Sequence, residues 1–147
     1  MQLKRDTDVA IRILYCLNQN RESQSAGETN GLTLAALAAQ TGVPKTVVGR
    51  ICEYLYRDGM IRLSPEMENG EKTYFAGEEL LSVSLLKVVT AVEGTVQLFA
   101  VFDQTSAAYK RGQTQIKTVQ EKVERVLSET RMGQLLEGKK ESELVGN

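Results

Sequence analysis

The stretch LAALAAQTGVPKTVVGRICEYL, residues 34–55, leaves a chain few ways to fold. Leu34 to Gln40 is built from strong helix formers, with Thr33 just before them. Gly42 stops that helix, and Pro44 opens another at its first turn, where a missing N–H costs nothing. Two helices therefore meet at a tight corner. Ala38, Gly42, Val43, Val48 and Ile51 fall at the spacing of a helix-turn-helix. Ala38 lets the two backbones approach and Gly42 takes the left-handed conformation at the turn. Val43, Val48 and Ile51 lock the crossing by packing inward, with Leu37 and Leu55 extending that core. This burial predicts that Lys45, Thr46, Gly49, Arg50 and Glu53 face outward on the second helix of the pair.

The remaining chain supplies a frame for that corner. A length of 147 residues, 41% of them apolar, suits one compact domain or two small sub-domains sharing a core. Val9, Ala10, Ile13, Leu14 and Leu17 recur at helical spacing, with Asp6 or Thr7 expected as the cap. Asn20 to Gly31 reads as a loop. Beyond Gly59, Met60–Ser64 and Thr73–Ala76 alternate apolar and polar around Asn69-Gly70, the signature of a tight hairpin. They predict a two-stranded wing whose loop runs from Pro65 to Glu71. Ser84 is expected to cap a helix reaching Val92, burying Leu85, Leu86, Val89 and Val92, with Gly94 after its end.

The apolar segment TVQLFAVFD that follows is ambiguous between helix and strand. From Gln113 to Glu129, Ile116, Val119, Val123 and Val126 form a heptad seam flanked by charge, suited either to a dimer partner or to an intramolecular core. A short helix from Thr130 to Glu137 is expected next. The resulting division is a reading unit over residues 1–94, a dimerisation and effector region over 95–137, and a frayed tail over 138–147.

Composition narrows the chemistry. Eighteen Lys and Arg against nineteen Asp and Glu leave a net charge of −1, so any affinity for nucleic acid must come from a local patch. From Thr41 to Leu63 the basic residues Lys45, Arg50, Arg57 and Arg62 outnumber Glu53 and Asp58, a local excess of two. There is no histidine, and the only cysteines are Cys16 and Cys52, so no zinc site, proton shuttle or nucleophile-base pair can be assembled. Neither a metal nor another cofactor is expected, nor enzymatic activity. Two separated thiols in apolar patterns read as reduced core cysteines, and nothing resembles a signal peptide or membrane span, which points to the cytoplasm.

On the outward face of the corner's second helix, Arg50 has the reach to bridge a guanine edge, Lys45 to meet bases or phosphate, and Thr46 to add a hydroxyl or methyl contact. Gly49 suggests close backbone approach to a partner, or tolerated drift. Lys4, Arg57 and Lys72 are candidate phosphate contacts. Phe99, Phe102 and Tyr109 are either an effector pocket or plain packing. Cys52 is either a redox switch or a buried inert thiol, and Arg50 has the bland alternative of pairing with Glu53.

The opening MQLKRDTDVAIRIL, the corner LAALAAQTGVPKTVVGRICEYLYRDGMI and the later LLKVVTAVEG together resemble the Rrf2 family of bacterial winged-helix transcription regulators, over Met1 to about Leu136. The resemblance implies a mainly α fold with a small β-wing and a long C-terminal dimerisation helix. It further implies a homodimer whose C-terminal helices cross, each subunit placing its third helix in the major groove of an operator half-site and its wing tip in the minor groove. Lys45, Thr46, Gly49 and Arg50 lie where the family reads DNA.

Two departures stand out. Sensing members hold an iron–sulfur cluster through three cysteines after the segment equivalent to TAVEG, and no cysteine follows Gly94 here. Asp8 matches an acidic cluster ligand of some relatives, but alone it reads as a helix-start carboxylate. The wing, SPEMENGEKTYF, carries Glu66, Glu68 and Glu71 with only Lys72 to offset them. The expectation is a homodimeric, sequence-specific transcription repressor on double-stranded DNA, without a cluster and answering to a small-molecule or protein effector. The alternative is a winged-helix protein-interaction module that has lost its operator.

Overall fold

The computed structural model describes residues 5–24, 30–68, 70–94 and 107–138, with the side chains of 65–68 and 107–116 outside that description. Helix α1 (Arg5–Ser23) carries Val9, Ala10, Ile13, Leu14 and Leu17 into the core on one stripe, as their spacing predicts. It is longer at both ends than expected. Asp6 and Thr7 lie inside its first turn instead of capping it, because both are used in contacts to other helices. Asn20–Ser23, read as loop, continues the helix.

Strand β1 (Leu32–Thr33) runs directly into α2 (Leu34–Thr41), whose cap is Thr33 accepting a hydrogen bond from the Ala36 N–H at 3.1 Å. Gly42 ends α2 at φ 72°, donating its N–H to the Ala38 carbonyl, and the left-handed conformation there is one that a Cβ would strain. Helix α3 (Lys45–Arg57) follows, and Pro44 is its N-cap, one position earlier than predicted. Leu37, Val43, Val48, Ile51 and Leu55 are all buried, so the helix-turn-helix core has the predicted members.

Strands β2 (Ile61–Glu68) and β3 (Glu71–Ala76) form the wing, pairing Ile61 with Ala76 and Glu68 with Glu71 across a two-residue turn that includes Gly70 at φ 78°. The predicted loop from Pro65 is therefore mostly strand. Its irregularity appears as a register shift between Leu63 and Met67, where Pro65 has no N–H to give the ladder. The sheet also has a third strand that the sequence pattern misses: β1 pairs antiparallel with β3, in the order β1-β3-β2. Two residues are too few to show a period.

A 3₁₀ turn (Leu80–Ser82) leads to α4 (Leu85–Glu93), capped by Ser84 and closed by Gly94 as predicted. Its buried face differs. Val88, Val89 and Val92 are buried, whereas Leu85 and Leu86 are only half-buried. Helix α5 (Ala107–Glu129) starts before the expected Gln113, and α6 (Met132–Leu136) is shorter than expected. Leu85 N–H bonds to Thr130 O at 2.7 Å and Met132 N–H to Val83 O at 2.8 Å. These bonds return α6 to the N-terminal unit, where Met132 and Leu136 join the core with α1. Among the described residues, no helix is long and apolar enough to cross a membrane.

Candidate nucleic-acid interface

Helix α3 divides cleanly. Val48, Ile51, Cys52 and Leu55 face the core with no exposed surface, while Lys45, Thr46, Arg50 and Glu53 are exposed and Gly49 is half-buried. The corner that aims this face is braced from inside and outside. The Thr41 hydroxyl donates to Leu37 O and accepts from Val43 N–H, both Val47 and Val48 N–H bond to Pro44 O, and Arg12 of α1 reaches Thr41 O. Asp8, one turn before Arg12, pairs with it at 3.1 Å, so its carboxylate serves α1 itself.

Lys45 and Arg50 each have a partner from another element. Arg50 forms a two-pronged pair with Asp6 at the start of α1, at 2.9 and 3.1 Å. That hydrogen bond and the charge behind it raise the Arg50 pKa above its ordinary value. The Lys45 ammonium donates to the Glu71 carboxylate at the base of the wing turn. The expected alternative of an Arg50–Glu53 pair is corrected: Glu53 instead binds Arg57 one turn on, at 2.7 Å. Sequence spacing could not find Asp6 and Glu71, because they lie 44 and 26 positions from their partners and meet them only through tertiary packing.

The other candidates spread out. Arg57 stands twelve residues beyond Lys45, roughly 18 Å along α3, and its guanidinium lies over the Tyr54 ring. Lys72 is exposed on β3, opposite Met67 near the wing tip. Lys4, Phe99 and Phe102 lie outside the described residues, as does the Tyr109 side chain on α5. Gly49 is not demanded by the protein's own packing, since a Cβ there would meet only Leu34 Cδ1, at an ordinary 3.6 Å.

The thiols separate. Cys52 is fully buried and burial pushes its pKa up to about 12, so of the two readings offered by sequence it is the inert core thiol. Cys16 is half-buried, less enclosed than expected, and burial raises its pKa too. It borders an open groove of about 490 Å³ with Ile11, Tyr15 and Leu135. No group of three or more histidine, cysteine or acidic side chains converges among the described residues.

On α5, Val119 and Val126 are 45% and 62% exposed, Val123 is half-buried, and the Ile116 side chain lies outside the described residues. Among the described side chains of α5 the buried one is Leu127, which the heptad pattern passed over.

The profile of the Rrf2 family, described as an iron-dependent transcriptional regulator, matches residues 3–138. Among solved structures, CymR, the global cysteine regulator of B. subtilis, is similar with a TM-score of 0.68 at 15% identity, over 95% of this chain and 99% of that one. IscR of T. potens is similar with a TM-score of 0.67 at 12% identity, over 100% and 94% of the two chains. The oxidized form of Staphylococcus aureus CymR gives 0.65 at 16% identity, over 93% and 97%. No curated protein sequence matches.

Proposed function

The chain belongs to the Rrf2 family of transcriptional regulators, and from that premise we propose that it is a cytoplasmic, homodimeric repressor that reads a palindromic operator with α3 in the major groove. The observation that carries this reading is the partition of α3: an apolar side sealed into the core and an outward side bearing Lys45, Thr46, Gly49 and Arg50 on a rigid corner. Residues 1–94 are the reading unit and 95–137 join the two copies through Ile116, Val119, Val123 and Val126. Lys4, Arg57 and Lys72 contribute position-independent attraction to phosphate. Phe99, Phe102 and Tyr109 are the candidate contacts for an effector.

Although the family is described as iron-dependent, the donors of this chain do not fit a three-cysteine cluster. It has only two thiols, and one of them is locked in the core, so the proposed regulation proceeds without such a cluster.

The test is selection of bound sequences from random duplex by the full chain. The expected result is a palindromic consensus, with affinity falling by a slope of about 0.9 per phosphate neutralised as salt rises. Arg50→Ala should relax one base position by about 1–3 kcal/mol. No enriched consensus, with specific protein partners captured instead, would turn the reading into the interaction-module alternative.

A further inference from the structure

The carboxylate on Arg50 is not an idle surface contact. Asp6 faces Arg50 from the first turn of α1, and its position is set by its neighbour. Thr7 is fully buried, and its N–H and hydroxyl both donate to Glu93 Oε1 of α4, at 3.0 and 3.1 Å. Asp6 therefore stands at a fixed place beside α3.

We propose that Asp6 is a specificity-determining residue, which holds Arg50 in a fixed orientation and cancels its charge so that backbone phosphates cannot capture it. The proposal rests on the reading of α3 as a DNA-recognition helix. A guanidinium carries five N–H donors. The two bonds to Asp6 use one hydrogen on each terminal nitrogen, and with Tyr54 also hydrogen-bonded to the guanidinium, the donors that remain can still meet a base edge. A guanine edge attracts through directed acceptors, O6 and N7, and a charge-compensated guanidinium still offers directed donors. A phosphate attracts mainly through charge, and that attraction is what a neighbouring carboxylate cancels. Asp6 thus penalises the sequence-independent contact more than the specific one.

The pair is accessible enough to act during binding, with side-chain exposures of 47% for Arg50 and 28% for Asp6. The same pattern recurs at the start of α3, where Glu71 compensates Lys45, so neither reading cation offers a bare charge to the wrong duplex.

The experiment measures wild-type protein and Asp6→Asn on the selected duplex and on a scrambled one of equal length, across a salt series. Asp6→Asn should tighten binding to the scrambled duplex and lower the ratio of specific to scrambled affinity. It should also steepen the scrambled-duplex salt slope by about 0.9, the increment for one further phosphate. A structural role alone would leave that slope unchanged.

A second arm repeats the comparison in an Arg50→Lys background. An ammonium carries the same charge but cannot form the two-pronged pair, so Asp6→Asn should there still steepen the scrambled-duplex slope while lowering the ratio less than it does with Arg50 in place. A wild type that selects a consensus while Asp6→Asn keeps both ratio and slope overturns the role of Asp6 alone. A wild type that selects nothing overturns the DNA-reading proposal, and this inference with it.

Discussion

Helices α3 and α5 both carry an apolar stripe along a charged rod, but they dispose of it in opposite ways. On α3 the stripe is closed within one chain: Val48, Ile51, Cys52 and Leu55 have no exposed surface, and apart from Tyr56 and part of Val47 what remains outside is polar or glycine. Among the described side chains of α5 the stripe is open, with Val119 and Val126 about half exposed or more while Leu127 turns inward. A closed stripe positions its polar face, and the proposed reading of DNA rests on the charged residues of α3. An open stripe on a long helix is what the proposed homodimer would use, since heptad spacing suits a second copy of the same helix.

The largest expected effect comes from opening the closed stripe. Ile51→Ala removes a fully buried side chain where α3 crosses α2, and should cost about 2–5 kcal/mol of folding stability. Denaturant unfolding measures that loss directly. A cost near zero would mean that α3 does not depend on the corner for its position, and the contrast with α5 would fail.

The matching change on α5 should leave the fold and break the assembly. Val126→Glu places a charge on a side chain already 62% exposed, so thermal unfolding of the subunit should move little while sedimentation shows a monomer. Affinity for a palindromic duplex should fall on the order of 100-fold, because two half-site contacts lose their linkage. A dimer that survives this change would place the interface elsewhere.

A third, smaller effect tests how dry the closed side of α3 is. Burial pushes the Cys52 thiol from 9.0 up to about 12. Unfolding returns it to the ordinary value, so above pH 9.0 the unfolded chain sheds a proton that the folded chain keeps. The contribution is intact below that pH and is lost as pH rises toward about 12, at up to about 1.4 kcal/mol per pH unit. Unfolding curves of wild type and Cys52→Ala should diverge in alkali by that slope, and a thiol reagent should modify half-buried Cys16 first. Equal labelling of both thiols in the folded protein would refute the sealed core.

The same two helices show what a sequence makes legible. The corner could be read because its signals are local: Thr33 caps, Gly42 turns and the valines repeat at helical spacing, all within a few residues of what they act on. The open stripe of α5 was legible as a period, though not whether a partner or the chain itself would cover it. The partners of Lys45 and Arg50 were illegible, since Asp6 and Glu71 are brought to α3 by the packing of α1 and the fold of the wing. The strand β1 escaped because two residues carry no alternation, and the buried face of α4 turned toward Val88 because its neighbours, not its own pattern, choose the side. Local chemistry predicts elements and corners, while cross-element pairs need the assembled fold.

The smallest expected effect separates the two roles of the polar face of α3. A glycine inside a helix costs roughly 0.5–1 kcal/mol relative to alanine. At Gly49 the protein's own packing gives no reason for it, because a Cβ would sit 3.6 Å from Leu34 Cδ1 in ordinary contact. Gly49→Ala should therefore stabilise the free protein by up to that amount, seen as a modest rise in melting temperature. The same change should weaken binding to the selected duplex, since the added methyl stands at the half-buried edge between Thr46 and Arg50, where the proposed reading brings the helix to the groove. Stability and affinity moving in opposite directions would assign the missing side chain to the bound state. If both rise together, no approaching surface needs that space, and the polar face of α3 owes its glycine to nothing in its function.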